Sequence, residues 1–309
     1  MNEAVRRRGE GVTWPTNLRR VAPPFVAVDG PFLLYRSFFA LPDSIKGTVD
    51  RPINALLGAV NVLLRLAADR TPRAIVICFG AEAAEYRTAL YPSYHADRPP
   101  VPEALQWQFD QAPELFDAFG WSTQTTAQLE ADDLLGSLAS VESVAGGRTL
   151  ILTGDRDMYQ CVSEQVTVMY LKQGTSGFEE VDAAEVRRRY GVEPALVPDF
   201  IALRGDPSDG LPGAPGIGPK KAAELLAKHH SLEHAIAGAQ EESPRVRSAL
   251  IDNAAELAHF REIATLRPIE VARPPDRPTD LEGGAQAARR YGMNRLAERL
   301  EKAESVTDL

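Results

Sequence analysis

The sequence predicts an α/β fold, with a mostly parallel central sheet flanked by helices and a helical region after it. Between residues 25 and 170, short apolar runs of strand length alternate with longer segments of helical periodicity, as in proteins built on a parallel sheet. After Tyr190 the chain changes to short helical segments separated by proline and glycine. Acidic residues also follow closely after two of the apolar runs, at Asp29 and at Asp155. These observations predict a sheet that carries an acidic site at one edge.

The predicted elements follow in chain order. The apolar runs that predict strands are residues 25–28, 74–79, 149–152 and 166–170. The segments with helical spacing of apolar residues are 53–67, 103–119, 130–144 and, near the end of the chain, a single amphipathic helix at 285–303. Ligands bind beyond the carboxyl ends of parallel strands, so we expect Asp29 and Asp155 to face each other although they are distant in sequence.

Composition indicates a soluble globular protein. Of the 309 residues, 44% are hydrophobic and 25% are charged, and no apolar run approaches the roughly 18 residues that a membrane span requires. The first residues include Arg6-Arg7-Arg8 but not the apolar core of a secretory signal. Cys78 and Cys161 lack metal-type spacing, so we expect reduced core cysteines in a cytoplasmic protein. A net charge of −9 argues against a general nucleic-acid binder, unless the acids are concentrated at one site.

Three short segments, 129–133, 153–157 and 205–209, gather acidic residues beside apolar or glycine neighbours. Together with the acid after the first strand, the set is Asp29, Glu130, Asp132, Asp133, Asp155, Asp157, Asp206 and Asp209. Like charges about 4 Å apart repel by roughly 4 kcal/mol at an effective dielectric constant near 20. Such a group needs a cation or must protonate in part, and a site with oxygen ligands alone suits Mg²⁺ or Mn²⁺. The acids therefore predict a two-metal site for phosphoryl chemistry. Carboxylates solvated on loops, without a metal, are the alternative.

The segment 81–101 carries basic residues among aromatic ones. Arg87, His95 and Arg98 alternate with tyrosines in a polar stretch between a predicted strand and a predicted helix. Such interleaving suits a single-stranded nucleic acid. An ordinary solvated crossover loop has the same pattern, and both interpretations stay open from the pattern alone.

The segment 211–223 combines tight turns with basic residues. Gly216 and Gly218 allow the backbone to approach a ligand closely. The helix that follows presents free N–H groups and the positive end of its dipole to a phosphate, and Lys220 and Lys221 add charge there. A structural turn is the alternative, but the acidic pair just before this segment favours the phosphate site.

In this order the motifs resemble those of the 5′-nuclease (flap endonuclease) family, particularly the 5′-nuclease domain of bacterial DNA polymerase I. The resemblance covers about residues 26–271. Its motifs are Val28-Asp29-Gly30 with Leu34-Tyr35-Arg36, Glu130-Ala131-Asp132-Asp133, residues 153–160, residues 205–213 and Gly216-Ile217-Gly218. It implies a PIN-like 5′-nuclease core and a helix–three-turn–helix. The implied domains are an extension at 1–22, the core at 23–190 with an arch at 81–101, the helix–three-turn–helix region at 191–280, and a helix and tail at 281–309.

The resemblance also implies a role for each matching residue. The first metal would be held by Asp29, Glu130 and Asp132, and the second by Asp133, Asp155, Asp157, Asp206 and Asp209. The arch, through which a 5′ single strand passes or against which it lies, would supply the catalytic residues Arg87, His95 and Arg98, while Tyr35 and Arg36 would contact bases or phosphate near the active site. The duplex backbone would be held by the helix–three-turn–helix with Gly216, Gly218, Lys220 and Lys221, a device that in the family often binds a K⁺ ion.

The implied activity is metal-dependent 5′-3′ exonuclease and 5′-flap endonuclease cleavage of DNA in replication or repair. The implied context is a monomer in the bacterial cytosol or nucleoid, acting on DNA with a 5′ flap or 5′ end and not at a membrane. A compact RNA nuclease of a related acidic-site class is a further candidate, but the helix–three-turn–helix argues against it because that device grips duplex backbone.

Two positions depart from the family pattern. Gly80 stands where an aspartate ligand of the first metal is expected, and His95 stands where a lysine is expected. Glu82 lies two residues after Gly80 and could replace the missing ligand. A catalytically weakened, structure-specific DNA-binding paralogue is therefore the alternative function, and a gain of cleavage in Gly80→Asp would reveal an impaired site.

Overall fold

The computed structural model describes residues 22–172 and 177–307, and side chains as far as residue 303. The predicted N-terminal extension lies outside the described residues except for its last residue. Within the described ranges, none of the helices combines the length and the apolar character that crossing a bilayer requires.

A six-stranded sheet forms the centre of the fold. Its strands are β1 (Phe25–Asp29), β2 (Ala74–Phe79), β3 (Ser122–Thr125), β4 (Thr149–Leu152), β5 (Val166–Leu171) and β6 (Phe178–Val181). The spatial order is β3-β2-β1-β4-β5-β6, and all neighbours are parallel except β5 and β6. The predicted mostly parallel sheet is confirmed. Successive strands run outward from β1 on one side and from β4 on the other, so the β1–β4 boundary is the switch point where such sheets bind ligands.

Helices cover both faces of the sheet and form the region after it. In the described residues they are α1 (Gly30–Ala40), α2 (Asn54–Arg70), α3 (Glu85–Leu90), α4 (Glu103–Ala118), α5 (Ala131–Val144), α6 (Ala183–Tyr190), α7 (Val197–Arg204), α8 (Pro219–His229), α9 (Leu232–Ala237), α10 (Pro244–Ile251), α11 (Ala254–Ala264), α12 (Leu281–Arg290) and α13 (Asn294–Thr307). Short 3₁₀ helices occur at Asp157–Cys161, Pro194–Leu196 and Ala239–Glu241.

The alternation of side chains along β1 divides the apolar core in two. Val26 and Val28 point to a cluster built with α1, α2, α4, α12 and α13. Phe25 and Ala27 point to a second cluster that includes α5 and the helices of the C-terminal region from α7 to α11. The helical region therefore shares a core with one face of the sheet, and the last two helices with the other.

Three features differ from the sequence-based expectation. The edge strands β3 and β6 were not predicted, because β3 has four polar residues and β6 has two glutamates between Phe178 and Val181, so neither forms an apolar run. The single helix expected at 285–303 is wrong: α12 and α13 are separate helices. The chain turns between them at Gly292, whose φ is +82°, a conformation that glycine adopts without a steric penalty.

The segment 81–101 packs against the core and is not a fully solvated loop. It contains the short helix α3, and its Arg87 and Tyr94 side chains are buried. Arg98 in the same segment stays partly exposed, with 42% of its side chain accessible. The segment therefore contributes both to the interior and to the surface next to the strand ends.

Candidate active site

A cavity of about 910 Å³ opens beside the carboxyl ends of β1, β2 and β4. Its acidic lining residues are Asp29, Glu82, Glu130, Asp132, Asp155, Asp206 and Asp209. Its basic lining residues are His95, Arg98, Arg156 and Arg204, and its aromatic ones are Phe32, Tyr35, Phe79, Tyr94 and Phe109. The structure thus brings six of the eight predicted acids to one cavity. Charged groups and aromatic rings share its wall.

Thr153 joins the two acids that were expected to face each other. Asp29 ends β1 and caps α1, where its Oδ1 accepts a hydrogen bond from the Phe32 N–H at 2.9 Å. Its Oδ2 accepts one from the Thr153 hydroxyl at 2.7 Å, and that hydroxyl accepts one from the Asp155 N–H at 3.0 Å. Because β1 and β4 are neighbours, the strand ends hold Asp29 and Asp155 together, as predicted.

Four acids have no basic side chain within salt-bridge distance among the described residues: Asp29, Asp132, Asp155 and Asp157. Burial raises the pKa of each of them above the usual range for aspartate. The charge of Asp155 raises the pKa of Asp132 and of Asp157 further. For Asp155, burial and the charge of Asp209 raise the pKa to about 7. Negative charge is therefore in excess at this point of the fold.

The other three predicted acids in the cavity each have a basic partner. Glu130 lies 2.7 Å from Arg87 and also accepts hydrogen bonds from the Tyr94 hydroxyl and the Ala84 N–H. The remaining pairs are Asp206 with Arg204 at 3.1 Å, and Asp209 with Arg98 at 3.2 Å and His95 at 3.1 Å. The protein itself thus neutralises part of the cluster.

Asp133, Asp157 and Arg87 do not line the cavity, although all three were predicted site residues. Asp133 is fully buried at the first turn of α5, and its Oδ2 accepts a hydrogen bond from the Glu130 N–H in a capping box. Its Oδ1 accepts from the Arg267 N–H at 2.7 Å and from Arg87 at 3.3 Å. Arg87 lies buried between Asp133 and Glu130. Asp133 is fully buried against the Arg87 guanidinium and lies outside the cavity, so its position does not fit a metal ligand, and Arg87 is an internal cation.

The carboxylates suit a divalent ion by their chemistry. They offer only oxygen donors, and their excess charge is buried, which is what Mg²⁺ or Mn²⁺ would offset. As they stand, no three acidic, histidine or cysteine side chains of the described residues converge as ligands of one ion. The acids fit such a group by type and charge and are not already arranged around it.

Two family models match consecutive parts of the chain and together cover most of its length. Residues 24–191 match the N-terminal resolvase-like domain of the 5′-3′ exonucleases, and residues 192–275 match their C-terminal SAM fold. The chain belongs to the 5′-3′ exonuclease family. The boundary between the two matched regions falls where the sequence changes character, just after α6.

Relatives of this chain occur both as separate proteins and within larger ones. A protein named 5′-3′ exonuclease from Mycobacterium tuberculosis is 34% identical, with 91% of this chain and 97% of that protein covered. DNA polymerase I of Mycobacterium bovis is 37% identical over 83% of this chain, but the match spans 29% of the polymerase.

Solved structures share the fold at low identity. The D15 protein of T5, crystallised with metal ions, has a TM-score of 0.66 at 17% identity and covers 91% of this chain and 97% of that one. The catalytic core of Rad2 in complex with DNA substrate has a TM-score of 0.60 at 15% identity, with 91% and 90% covered.

The backbone of another segment closes the space beside Gly80. A methyl group on Gly80 would lie 2.4 Å from the Ala131 nitrogen and 2.7 Å from the Leu129 oxygen. The Ala81 N–H donates to that same oxygen at 2.9 Å, which holds the two segments together. Gly80 therefore differs from the expected aspartate in more than the loss of a carboxylate, because neighbouring backbone occupies the space of a side chain. Any side chain at position 80 would displace the start of α5.

His95 connects three parts of the site. Its ring stacks on Tyr94 at 3.8 Å between centroids. Its Nδ1 lies 3.1 Å from the Glu82 carbonyl oxygen and its Nε2 lies 3.1 Å from Asp209 Oδ1. Both partners are hydrogen-bond acceptors, so the ring satisfies both contacts when both nitrogens carry hydrogen, and it then places a positive charge against Asp209.

The remaining predicted residues lie at or beyond the rim. Tyr35 lines the cavity, and burial together with the charge of Glu82 raises its pKa. Arg36 donates to the carbonyl oxygen of Lys172 at 3.2 Å. In the helix–three-turn–helix, Gly216 has a φ of +76°, Gly218 caps α8, Lys220 is exposed, and Lys221 pairs with Glu224 at 2.5 Å.

Sequence reasoning missed two residues that organise the acids. Thr153 bridges Asp29 and Asp155, and its position at a strand end next to a glycine was the available signal. Arg204 immediately precedes the Gly205-Asp206 motif, and its pairing with Asp206 follows from the turn there.

Proposed function

We propose that this 5′-3′ exonuclease hydrolyses DNA phosphodiesters at 5′ ends and 5′ flaps with the help of Mg²⁺ or Mn²⁺. The observation that carries the proposal is the group of four acids without a basic partner among the described residues, at the switch point of the sheet, where burial raises the pKa of each. Three of them, Asp29, Asp132 and Asp155, line a cavity that also offers cations and aromatic rings to a nucleic acid. The relative named 5′-3′ exonuclease from Mycobacterium tuberculosis, which is covered over 97% of its length, supports the proposed nuclease activity.

The metal-holding residues are Asp29, Asp132, Asp155 and Asp157. Bound there, a divalent ion supplies Lewis-acid stabilisation of the charge that develops on phosphate and favours an ionised water as nucleophile. The Thr153 hydroxyl fixes the Asp29 carboxylate, and the Asp157 N–H fixes Asp155 Oδ1 at 2.8 Å. These bonds hold the oxygens in place before an ion binds.

The other charged groups position the strand. The Arg98 side chain is partly accessible at the cavity, and one of its nitrogens pairs with Asp209. The rest of its guanidinium is therefore available to a phosphate. The Tyr35 ring, which lies 5.8 Å from that of Phe109, offers a face for a base next to the reacting phosphodiester. When the strand is held in this way, the phosphodiester bond to be broken lies beside the four metal-holding acids.

The helix–three-turn–helix binds the duplex part of the substrate. Gly218 leaves the first N–H groups of α8 open, and a side chain at this position would meet no atom within 4 Å. Lys220 adds charge beside them. We assign a K⁺ ion to the loop before α8, a monomer as the active form, and the bacterial cytosol or nucleoid as the place of action.

The decisive experiment compares Asp155→Asn with Asp199→Asn on a 5′-flap DNA in Mg²⁺ and Mn²⁺. Asp199 is also buried and bonded to a backbone N–H, at Leu232, but it lies outside the cavity. Wild type and Asp199→Asn should cleave and should stop cleaving in EDTA. Asp155→Asn should lose on the order of 10³-fold in rate, equivalent to about 4 kcal/mol.

Unchanged cleavage in Asp155→Asn would contradict the site assignment. DNA binding without any cleavage by the wild type would contradict the nuclease proposal and would instead be the behaviour of a weakened DNA-binding paralogue.

A further inference from the structure

A second cavity of about 470 Å³ lies next to the acidic one, at the ends of β5 and β6. Arg156 lines both cavities and so forms the boundary between them. The floor of the second cavity is tied to the acidic site, because the Tyr170 hydroxyl donates to the Asp155 carbonyl oxygen at 2.9 Å. The two cavities are therefore one continuous surface at the edge of the sheet.

The charges around the second cavity favour an anion. Its charged lining residues are Arg156, Lys172, Arg189 and Glu179. The single carboxylate is already used, since Glu179 lies 2.6 Å from Arg189. Arg189 also donates to the hydroxyl of the fully buried Tyr159 at 2.7 Å, which fixes its guanidinium against the wall. Arg156 and Lys172 remain as exposed cations.

A third cation joins them from α1. The Arg36 guanidinium donates to the Lys172 carbonyl oxygen, so it lies beside the end of β5. We call Arg36, Arg156 and Lys172 the basic edge. None of the three has a carboxylate within salt-bridge distance among the described residues. In a chain of net charge −9, these three cations without a carboxylate partner are therefore available to an anionic ligand.

We propose that the basic edge and the second cavity bind a backbone phosphate of the DNA strand on the side of the acidic site formed by β5 and β6. This proposal rests on the proposed nuclease function and adds a contact separate from the helix–three-turn–helix. A phosphodiester is the anion that fits, because the cations flank a site that is continuous with the one where a phosphodiester reacts. The contact positions the substrate and takes no part in bond cleavage.

The test measures DNA affinity in EDTA, so that no cleavage occurs, over a series of salt concentrations. Lys172→Ala should weaken binding about fivefold and lower the slope of log K against log salt by about one. Lys172→Arg should restore both. Arg295→Ala removes an exposed arginine on α13 that belongs to neither cavity and should change neither quantity. Identical affinity and slope in Lys172→Ala and wild type would overturn the proposal.

A second arm distinguishes the strand from a free anion. Inorganic phosphate and a deoxynucleoside monophosphate are titrated against wild type and Lys172→Ala. Both small anions should bind weakly, and each should bind wild type and Lys172→Ala with the same affinity. Tight phosphate binding that Lys172→Ala abolishes, with DNA affinity and salt slope unchanged, would identify a product or phosphate site and overturn the strand contact. Absence of cleavage in the wild type would instead count against the nuclease function.

Discussion

At the scale of single residues, the presence or absence of a basic partner separates the acids of the site. Asp206 and Asp209 have an arginine within 3.2 Å, whereas Asp132 and Asp155 are partly buried and have no basic partner among the described residues. A buried carboxylate without a partner destabilises the fold when it is ionised, because burial removes its hydration. The site therefore holds charge that the metal-free protein would be more stable without.

Asp155→Asn should raise the stability of the metal-free protein at high pH. The folded pKa of Asp155, about 7, exceeds the unfolded value, so the protonated form is the stabilised one. The stabilisation of the folded state by protonated Asp155 is complete below the unfolded pKa and is lost as the pH rises through about 7. Asparagine mimics the protonated state, so urea unfolding in EDTA should show a gain of roughly 1–3 kcal/mol at pH 8.5 and a much smaller one at pH 5.

Asp206→Asn is the matched comparison. It removes the partner of Arg204 and should lower the unfolding free energy under the same conditions. A loss of stability in Asp155→Asn of similar size would mean that this acid is not an unpaired charge.

Gly80→Asp should not increase the rate of DNA cleavage. Gly80→Ala already places a methyl group against the backbone of residues 129–131, and overpacking of this kind costs about 2 kcal/mol. We expect both variants to lower the urea midpoint and cleavage to fall. Gly177→Ala is the control, because its methyl group would meet nothing closer than 3.7 Å. A stable Gly80→Asp with increased cleavage would show that the start of α5 can move aside.

At the scale of elements, an extended segment between α11 and α12 straps the helical region to α5. Residues 265–280 bond to three side chains along that helix: the Arg267 N–H to Asp133, the Ile269 N–H to the Ser137 hydroxyl, and Arg273 to Glu142. The buried position of Asp133 is therefore a consequence of this strap. A residue expected at the metal site instead fixes the helix that carries Glu130 and Asp132 at its start.

Glu142→Gln should loosen the strap. Burial raises the pKa of the Glu142 carboxyl, but hydrogen bonds from Arg73 and Arg273 outweigh it and leave the pKa below its usual range. The stabilisation is present above the unfolded pKa and is lost as the pH falls through the folded one. Urea unfolding at pH 7 should show a loss of about 3 kcal/mol that shrinks below pH 4.

The exposed pair of Glu301 and Arg289 offers the control, since Glu301→Gln should change stability very little. Faster proteolysis within 265–280 should accompany Glu142→Gln alone. Equal stability of the two variants would contradict the assigned role of the strap.

At the scale of the whole molecule, ion binding and folding should be linked. Mg²⁺ or Mn²⁺ should raise the thermal midpoint of the wild type, since an ion at 100 times its Kd adds about 2.7 kcal/mol to the folded state. The shift should be larger at pH 8 than at pH 5.5, because burial raises the pKa of the acids and protons then compete with the ion. Differential scanning fluorimetry measures it, and a shift that Asp155→Asn retains in full would contradict the site.

Much of the fold could be predicted because its signals are local. The apolar runs that became β1, β2, β4 and β5 lie within a residue of their predicted bounds. The rest depends on tertiary contacts. β3 and β6 are strands because a neighbouring strand bonds to them, and neither has an apolar run of its own.

The sequence by itself determined that Asp29 and Asp155 meet at one edge of a parallel sheet, because each follows closely after a buried strand. It could not determine which of the eight acids stay without a basic partner. Asp132 and Asp133 are adjacent and chemically identical, yet one lines the cavity and the other caps α5 and holds residue 267. That choice depends on contacts with residues more than a hundred positions away, and only the tertiary structure brings those residues into reach.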